Sequence, residues 1–159
     1  MPIAKITDIS TTNGPLLGID PGKKTLGVAI SDRYNFLSTS LITVKRKKFQ
    51  LDAAEIFKIY NERQCKGIIM GHPINMDGTS GQRAQSVRAL SKNLLTVQDV
   101  PLILWDERMS TQAVERDLIQ QLDMSRAKRS AIIDAHAAQF ILQGALDALQ
   151  NLRANTEIK

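Results

Sequence analysis

One cysteine, Cys65, stands in 159 residues, so no intrachain disulfide can form and a reducing cytoplasm is the expected setting. The same count excludes a zinc site built on several cysteines. Aromatic residues make up 4% of the chain, too few for a platform on which bases stack. No apolar stretch approaches the ~18 residues of a membrane span. The opening Met1-Pro2-Ile3-Ala4-Lys5-Ile6-Thr7-Asp8 lacks the apolar core of a secretion signal, so export is not expected. What is present is ordinary globular composition, 43% hydrophobic and 23% charged. A chain of this length buries roughly 70% of the surface its unfolded form exposes, so its core needs neither disulfide nor structural metal.

Acidic charge is the scarcer sign. Sixteen Asp and Glu stand against 21 Lys and Arg, a net charge of +5. The excess fits a polyanion partner. It is also clustered: Lys45-Arg46-Lys47-Lys48 is one group, Arg126, Lys128 and Arg129 a second, and Arg83, Arg88 and Lys92 recur along a third segment. With aromatics so few, contact with backbone phosphates is the favoured mode of nucleic-acid binding. The 45–48 run reads equally well as a solvated loop.

Residues 1–14 are polar, end in Asn13-Gly14-Pro15, and are read as a flexible N-terminal segment. Leu16 to Asp20, Leu26 to Ile30 and Ser38 to Val44 are short apolar runs split by Gly/Pro turns, which predicts three hairpin-connected strands. The period then changes. Ala53, Ile56, Phe57 and Tyr60 recur at helical spacing over about 50–62. Gly67 to Met70 and Gly71 form a fourth strand. Ala84, Val87, Leu90 and Leu94 mark a second helix, and Val100 to Trp105 a fifth strand. Ser110 or Thr111 can cap a short helix carrying Ala113, Val114 and Leu118, and Ser125 a long one with Ile133, Ala137, Phe140, Ile141, Gly144 and Ala148 on its buried stripe. Strand–helix–strand units imply parallel pairing with right-handed crossovers. The expected α/β fold is therefore a five-stranded mixed sheet flanked by helices on both faces. It forms a single domain over 15–150, with 151–159 a C-terminal tail.

Three carboxylates are placed for chemistry. Asp20 sits at the tip of the first strand among Gly18, Gly22 and Gly27, which let backbone or a phosphate come close. Asp20-Pro21-Gly22 is also a good hairpin turn. Glu107 lies in Asp106-Glu107-Arg108 after the fifth strand, at the strand ends where open α/β sheets place ligands; a solvated loop is the alternative. Asp134 is mid-helix, where Asp is a poor residue, with Ser130, Ala131 and Ala138 around it. Small neighbours would let that helix approach the sheet; pairing with Arg126 is the alternative. Acids that converge repel one another unless a cation or proton neutralises them. Mg²⁺ or Mn²⁺ takes oxygen ligands, and two such ions can drive phosphodiester hydrolysis.

The motifs Leu17-Gly18-Ile19-Asp20-Pro21-Gly22 with Gly27-Val28-Ala29, Gly71-His72-Pro73-Ile74-Asn75-Met76-Asp77-Gly78, Asp106-Glu107-Arg108-Met109-Ser110-Thr111, and Asp134 in an Ala-rich last helix, in this order, resemble the YqgF family of the ribonuclease H-like superfamily, which also holds Holliday-junction resolvases. The resemblance covers roughly 15–148. It implies sheet order 3-2-1-4-5 and metal-dependent nuclease chemistry with Asp20, Glu107 and Asp134 as catalytic metal ligands for Mg²⁺ or Mn²⁺. It also implies a role in processing the 5′ end of precursor 16S ribosomal RNA, in the setting of a pre-ribosomal particle. Two departures stand out: the family's usual Gly-Leu-Pro is Gly71-His72-Pro73 here, and His136 replaces a residue that is usually small or apolar.

Lys23, Asn75, Arg108, Arg126, Lys128 and Arg129 are the candidate nucleic-acid contacts. The last three are favoured because they stand near the start of the helix carrying Asp134. Asp77 reads as shaping its turn, His72 as a loop residue contacting backbone, His136 and Trp105 as structural, and Cys65 as a helix-end residue without special chemistry. The expected protein is a cytoplasmic endonuclease, monomer or weak homodimer. One alternative is a resolvase of branched DNA, which requires a dimer because two symmetric nicks need two active sites. Another is a non-catalytic RNA-binding assembly factor. An actin-like ATPase is set aside, since the chain is too short for two lobes.

Overall fold

The computed structural model describes residues 3–73, 81–106 and 126–158, with the backbone alone over 126–135 and 156–158. Its strands are β1 (Leu17–Pro21), β2 (Thr25–Ser31), β3 (Ser38–Lys45), β4 (Ile68–His72) and β5 (Leu102–Asp106). Its helices are α1 (Phe49–Glu62), α2 (Gln82–Val97) and α3 (Arg126–Ile158), preceded by a 3-10 turn at Ile6–Ile9. The five strands make one sheet in the order β3-β2-β1-β4-β5. β1–β2 and β2–β3 are antiparallel, whereas β1–β4 and β4–β5 are parallel. This is the predicted meander followed by crossover units. The short helix expected after Ser110 or Thr111, and the 74–80 loop, lie outside the described residues.

Both faces of the sheet are buried, so its strands read as continuous apolar runs rather than alternating ones. Alternation along each strand still sorts side chains between two cores. Leu17, Ile19, Ile68, Met70 and Leu102 pack with Ile56, Phe57 and Leu94 of α1 and α2. Leu16, Ala29, Ile69 and Ile103 pack with Ala138, Leu142, Leu146 and Leu149 of α3. Leu16, Gly18 and Asp20 therefore share the α3 face. Cys65 lies in the first core; burial pushes its thiol up to about 11, with Arg63 pulling the other way. The thiol stays protonated and unreactive at neutral pH.

α3 comes close to the sheet at Gly18. A Cβ built there would stand 2.8 Å from Leu142 Cβ and 3.3 Å from the Ala138 carbonyl oxygen, so only glycine lets the helix seat on the central strand. The buried stripe of α3 is broader than the sequence predicts and turned toward this contact. Ala137 and Ile141 are buried as expected, but Ala138, Leu142, Ala145 and Leu149 take its centre, and Phe140, Gly144 and Ala148 are only half-buried. Helical spacing alone could not find that rotation, because the facing glycine decides it. Ile133 lies outside the residues whose side chains are described.

A polar row beside that stripe clamps α3 to the β2–β3 hairpin. Gln139 Nε2 donates to Ser38 O, Gln143 Nε2 to Phe36 O, and Gln150 Nε2 to Asn35 O. Arg153 donates to Ser10 O and Thr12 O. These partners fix the direction of α3. Ser40 Oγ donates to Gln139 Oε1 in the same cross-strand row as Ala29 and Gly18, while Gln150 and Arg153 lie at the hairpin turn near the start of β1. The N-terminal half of α3 thus points toward the C-terminal end of β1.

Two expectations about the chain ends are corrected. Residues 3–14 are not a loose lead-in: the Ala4 N–H donates to Leu102 O at 2.8 Å, which caps the β5 edge, and Ile9 is buried in the α3 core. Residues 151–158 are not a tail but continue α3, held through Arg153. Both ends are tied because each supplies groups the other needs, carbonyls from Ser10 and Thr12 and a guanidinium from α3.

The β2–β3 turn is built on Asp32. Partial burial pushes its carboxyl up, but N–H bonds from Leu37, Phe36 and Tyr34 outweigh this and hold it below its ordinary 3.8. A depressed carboxylate contributes stability that is complete above its unfolded value and lost as pH falls through the folded one. Asp32→Asn is therefore expected to lower the melting temperature at pH 7, with the gap from wild type closing below about pH 4; a gap independent of pH contradicts this. Gly18→Ala is expected to destabilise the fold by about 1–3 kcal/mol, read from the urea midpoint. An unchanged midpoint contradicts the close contact.

Candidate active site

β1, β4 and β5 run parallel, so their carboxyl ends meet along one edge of the sheet, the edge at which open α/β sheets bind ligands. Asp20 is the penultimate residue of β1 and half-buried. Its cross-strand partner on β2 is Gly27. On β4, Met70 pairs with Ile19, so the next residue on that side is Gly71. Asp20 thus stands on the α3 face between two strands that carry no side chain beside it. Glycine on both flanks leaves room for a second group to come up to the carboxylate.

β5 lies one strand beyond β4, with Trp105 paired to Gly71 and Asp106 to His72. Trp105 belongs to the α3 face, packed against that core; its Nε1 is buried with no hydrogen-bond partner among the described residues. Glu107 is the residue that follows β5, and it lies outside the described residues, as do Asn75, Asp77 and Arg108. Asp134 lies in α3 one turn before Ala138, roughly 6 Å along the helix from the crossing at Gly18. Asp20 lies two residues, roughly 7 Å, past Gly18 on β1. Because α3 runs back toward the end of β1, positions 20 and 134 are displaced from the crossing in the same direction. The side chains of Asp134, Arg126, Lys128 and Arg129 are outside those described; the last three occupy the first turn of α3. Lys23 is exposed at the β1–β2 turn.

The opposite face of the same edge is basic. His72 faces α2, where Arg88 Nη1 lies 3.1 Å from its Nε2. This is a side-chain partner, and His72 is the last residue of β4 rather than the loop residue expected. The alternation that buries Ile68 and Met70 on the α2 side carries His72 there too, and a leucine at 72 could not accept the guanidinium. Arg46 Nη1 donates to Gly22 O at 2.7 Å and Arg83 Nη2 to Pro21 O at 3.4 Å. The clusters at 45–48 and 83–92 were visible as charge, but their convergence on the turn after Asp20 depends on the order of the strands. His136 is half-buried with Nδ1 3.2 Å from Gln139 Oε1, the structural place expected of it.

The sheet order and the pairing of a strand-end acid with a crossing helix define the ribonuclease H-like fold. The Thermus thermophilus RuvC bound to a Holliday junction substrate superposes with a TM-score of 0.56 at 17% identity, over 87% of this chain and 96% of that one. A second Thermus thermophilus RuvC structure gives 0.51 at 10% identity, over 88% and 96%. The family model "RuvX: Holliday junction resolvase" matches residues 14–148, and the chain belongs to that family. A relative from Bradyrhizobium sp. strain BTAi1, named "Putative pre-16S rRNA nuclease", is 51% identical over 96% of this chain and 94% of its own. A relative of the same name from Rhodospirillum rubrum is 47% identical over 96% and 97%. Among the described residues no helix is long and apolar enough to cross a membrane.

The Arg88–His72 bond is a charge-assisted contact. His72→Leu is expected to lower stability by about 1–2 kcal/mol through loss of the acceptor, and His72→Gln to recover part of it. Equal unfolding midpoints for wild type and His72→Leu contradict the bond.

Proposed function

We propose that the chain is a divalent-metal-dependent endonuclease that hydrolyses phosphodiester bonds in the 5′ region of precursor 16S ribosomal RNA, in the cytoplasm and within a pre-ribosomal particle. Residues 15–150 are its catalytic unit. The single observation that carries this reading is Asp20, half-buried between Gly27 and Gly71 on the face and edge toward which α3 brings position 134. The names of the relatives support precursor 16S ribosomal RNA as the substrate.

Asp20, Glu107 and Asp134 would hold Mg²⁺ or Mn²⁺, since carboxylate oxygens are the donors such hard cations take. When bound, the cation supplies neutralisation of phosphate charge and a lowered pKa for the attacking water. The chain supplies the rest. Three converging carboxylates repel one another and a phosphate unless a cation offsets their charge, so the filled site is the one that receives substrate. Lys23, Asn75, Arg108, Arg126, Lys128 and Arg129 are proposed to hold the nucleic-acid backbone, which adds no sequence preference but fixes register.

Branched DNA is the second reading, supported by the printed description of the family model. It requires a dimer, whereas the RNA reading is satisfied by a monomer or weak homodimer. The test is cleavage of a labelled RNA spanning the 16S leader, with a four-way DNA junction in parallel, under Mn²⁺, Mg²⁺ or EDTA. The expected outcome is metal-dependent cutting of the RNA that Asp20→Asn abolishes while RNA binding and the unfolding midpoint are retained. Cutting of the junction alone selects the resolvase. Binding without cutting by wild type selects a non-catalytic assembly factor, and undiminished cutting by Asp20→Asn overturns the site.

A further inference from the structure

The turn that follows Asp20 is gripped by two arginines from separate elements. Arg46, just after β3, donates its backbone N–H to Lys24 O at 2.8 Å and its Nη1 to Gly22 O at 2.7 Å. Arg83, in the first turn of α2, reaches Pro21 O. The turn does not need either for closure: Gly22 N–H already bonds Thr25 O at 2.8 Å. What the two contacts do achieve is to hold two guanidinium groups at the turn that follows Asp20 in the chain. Each guanidinium has five N–H donors and uses one here. Both residues are exposed, with Lys23 and Lys24 exposed beside them. A guanidinium already held in place loses little freedom when it takes a phosphate, and its planar donor pair matches phosphate oxygens.

We propose that Arg46 and Arg83 are phosphate-contacting residues that seat the nucleic-acid backbone against the Pro21-Gly22 turn, which follows Asp20 in the chain. The inference rests on the nuclease reading above and deepens it by placing part of the substrate track on the β3 and α2 side, apart from the start of α3. It names a charge contact with phosphate, so it holds for RNA and DNA backbones alike.

The test is binding of the 16S leader RNA, and of the four-way DNA junction, by fluorescence anisotropy in EDTA from low to moderate KCl. The variants are Arg46→Gln, Arg83→Gln and their double. Glutamine keeps an amide that can donate to the turn carbonyl but has no charge. Arg63→Gln removes the same charge at the C-terminal end of α1, at the opposite edge of the sheet. Each site variant is expected to weaken binding by about tenfold and to reduce the slope of log affinity against log salt by about one, with wild-type melting temperature. Arg63→Gln is expected to change neither slope nor affinity appreciably. A wild-type slope in the double variant overturns the proposal, as does weaker binding that tracks a lowered melting temperature at constant slope. Wild type that binds and cuts while the double variant keeps its slope defeats this inference alone; wild type that neither binds nor cuts either probe defeats the nuclease reading first.

Discussion

The contact on which the site depends is the seating of α3 on Gly18. A helix and a sheet normally keep a side-chain layer between them. Here a missing Cβ brings the Ala138 carbonyl and the Leu142 Cβ within about the distance one methyl group would occupy. Packing at that density tolerates no added atom without displacement. The consequence runs along both elements. Two residues on from the crossing, β1 presents Asp20; one turn back from it, α3 presents position 134. A helix held farther away by alanine would carry position 134 away from the edge while leaving the sheet intact. The polar clamp fixes the other degree of freedom, the slide of α3 along the sheet, by bonding Gln139, Gln143 and Gln150 to carbonyls of the β2–β3 hairpin and Arg153 to the Ser10 carbonyl.

The same edge carries opposite charge on its two faces. The α3 face holds Asp20 in a gap left by two glycines, and the α2 face holds Arg88 against His72. Arg46 and Arg83 are bonded to the turn between them. For a protein of net charge +5 that acts on a polyanion, this separation is functional. General positive charge raises the rate of encounter with such a partner. Arginine suits the boundary because it can spend one donor on backbone and keep the others.

Much of this was legible in the residues. Gly/Pro turns between short apolar runs gave the meander, and the change from strand to helical period gave the crossovers. The Asp20 strand tip was legible because an acid among Gly18, Gly22 and Gly27 has few packing reasons to exist, and small residues around position 134 foretold a close helix. The rotation of the α3 stripe was not legible: 137-141-144-148 and 138-142-145-149 are both apolar, and only the facing glycine chooses. The ordering of residues 3–14 was missed because their anchors, Leu102 O and Arg153, lie far away in sequence. The fixing of Arg46 and Arg83 on consecutive carbonyls was missed for the same reason; a basic run looks identical whether it is solvated or anchored.

We propose that the Gly18 crossing brings the carboxylates of Asp20, Glu107 and Asp134 to one divalent-cation site. The most direct measurement is a crystal structure of the protein soaked in Mn²⁺, with the ion located by its anomalous scattering. The expected result is an anomalous peak at the C-terminal edge of β1, bonded to oxygens of all three residues and lost in Asp20→Asn crystals. Mn²⁺ bound elsewhere, or at Asp20 with Asp134 turned away from it, would contradict the claim.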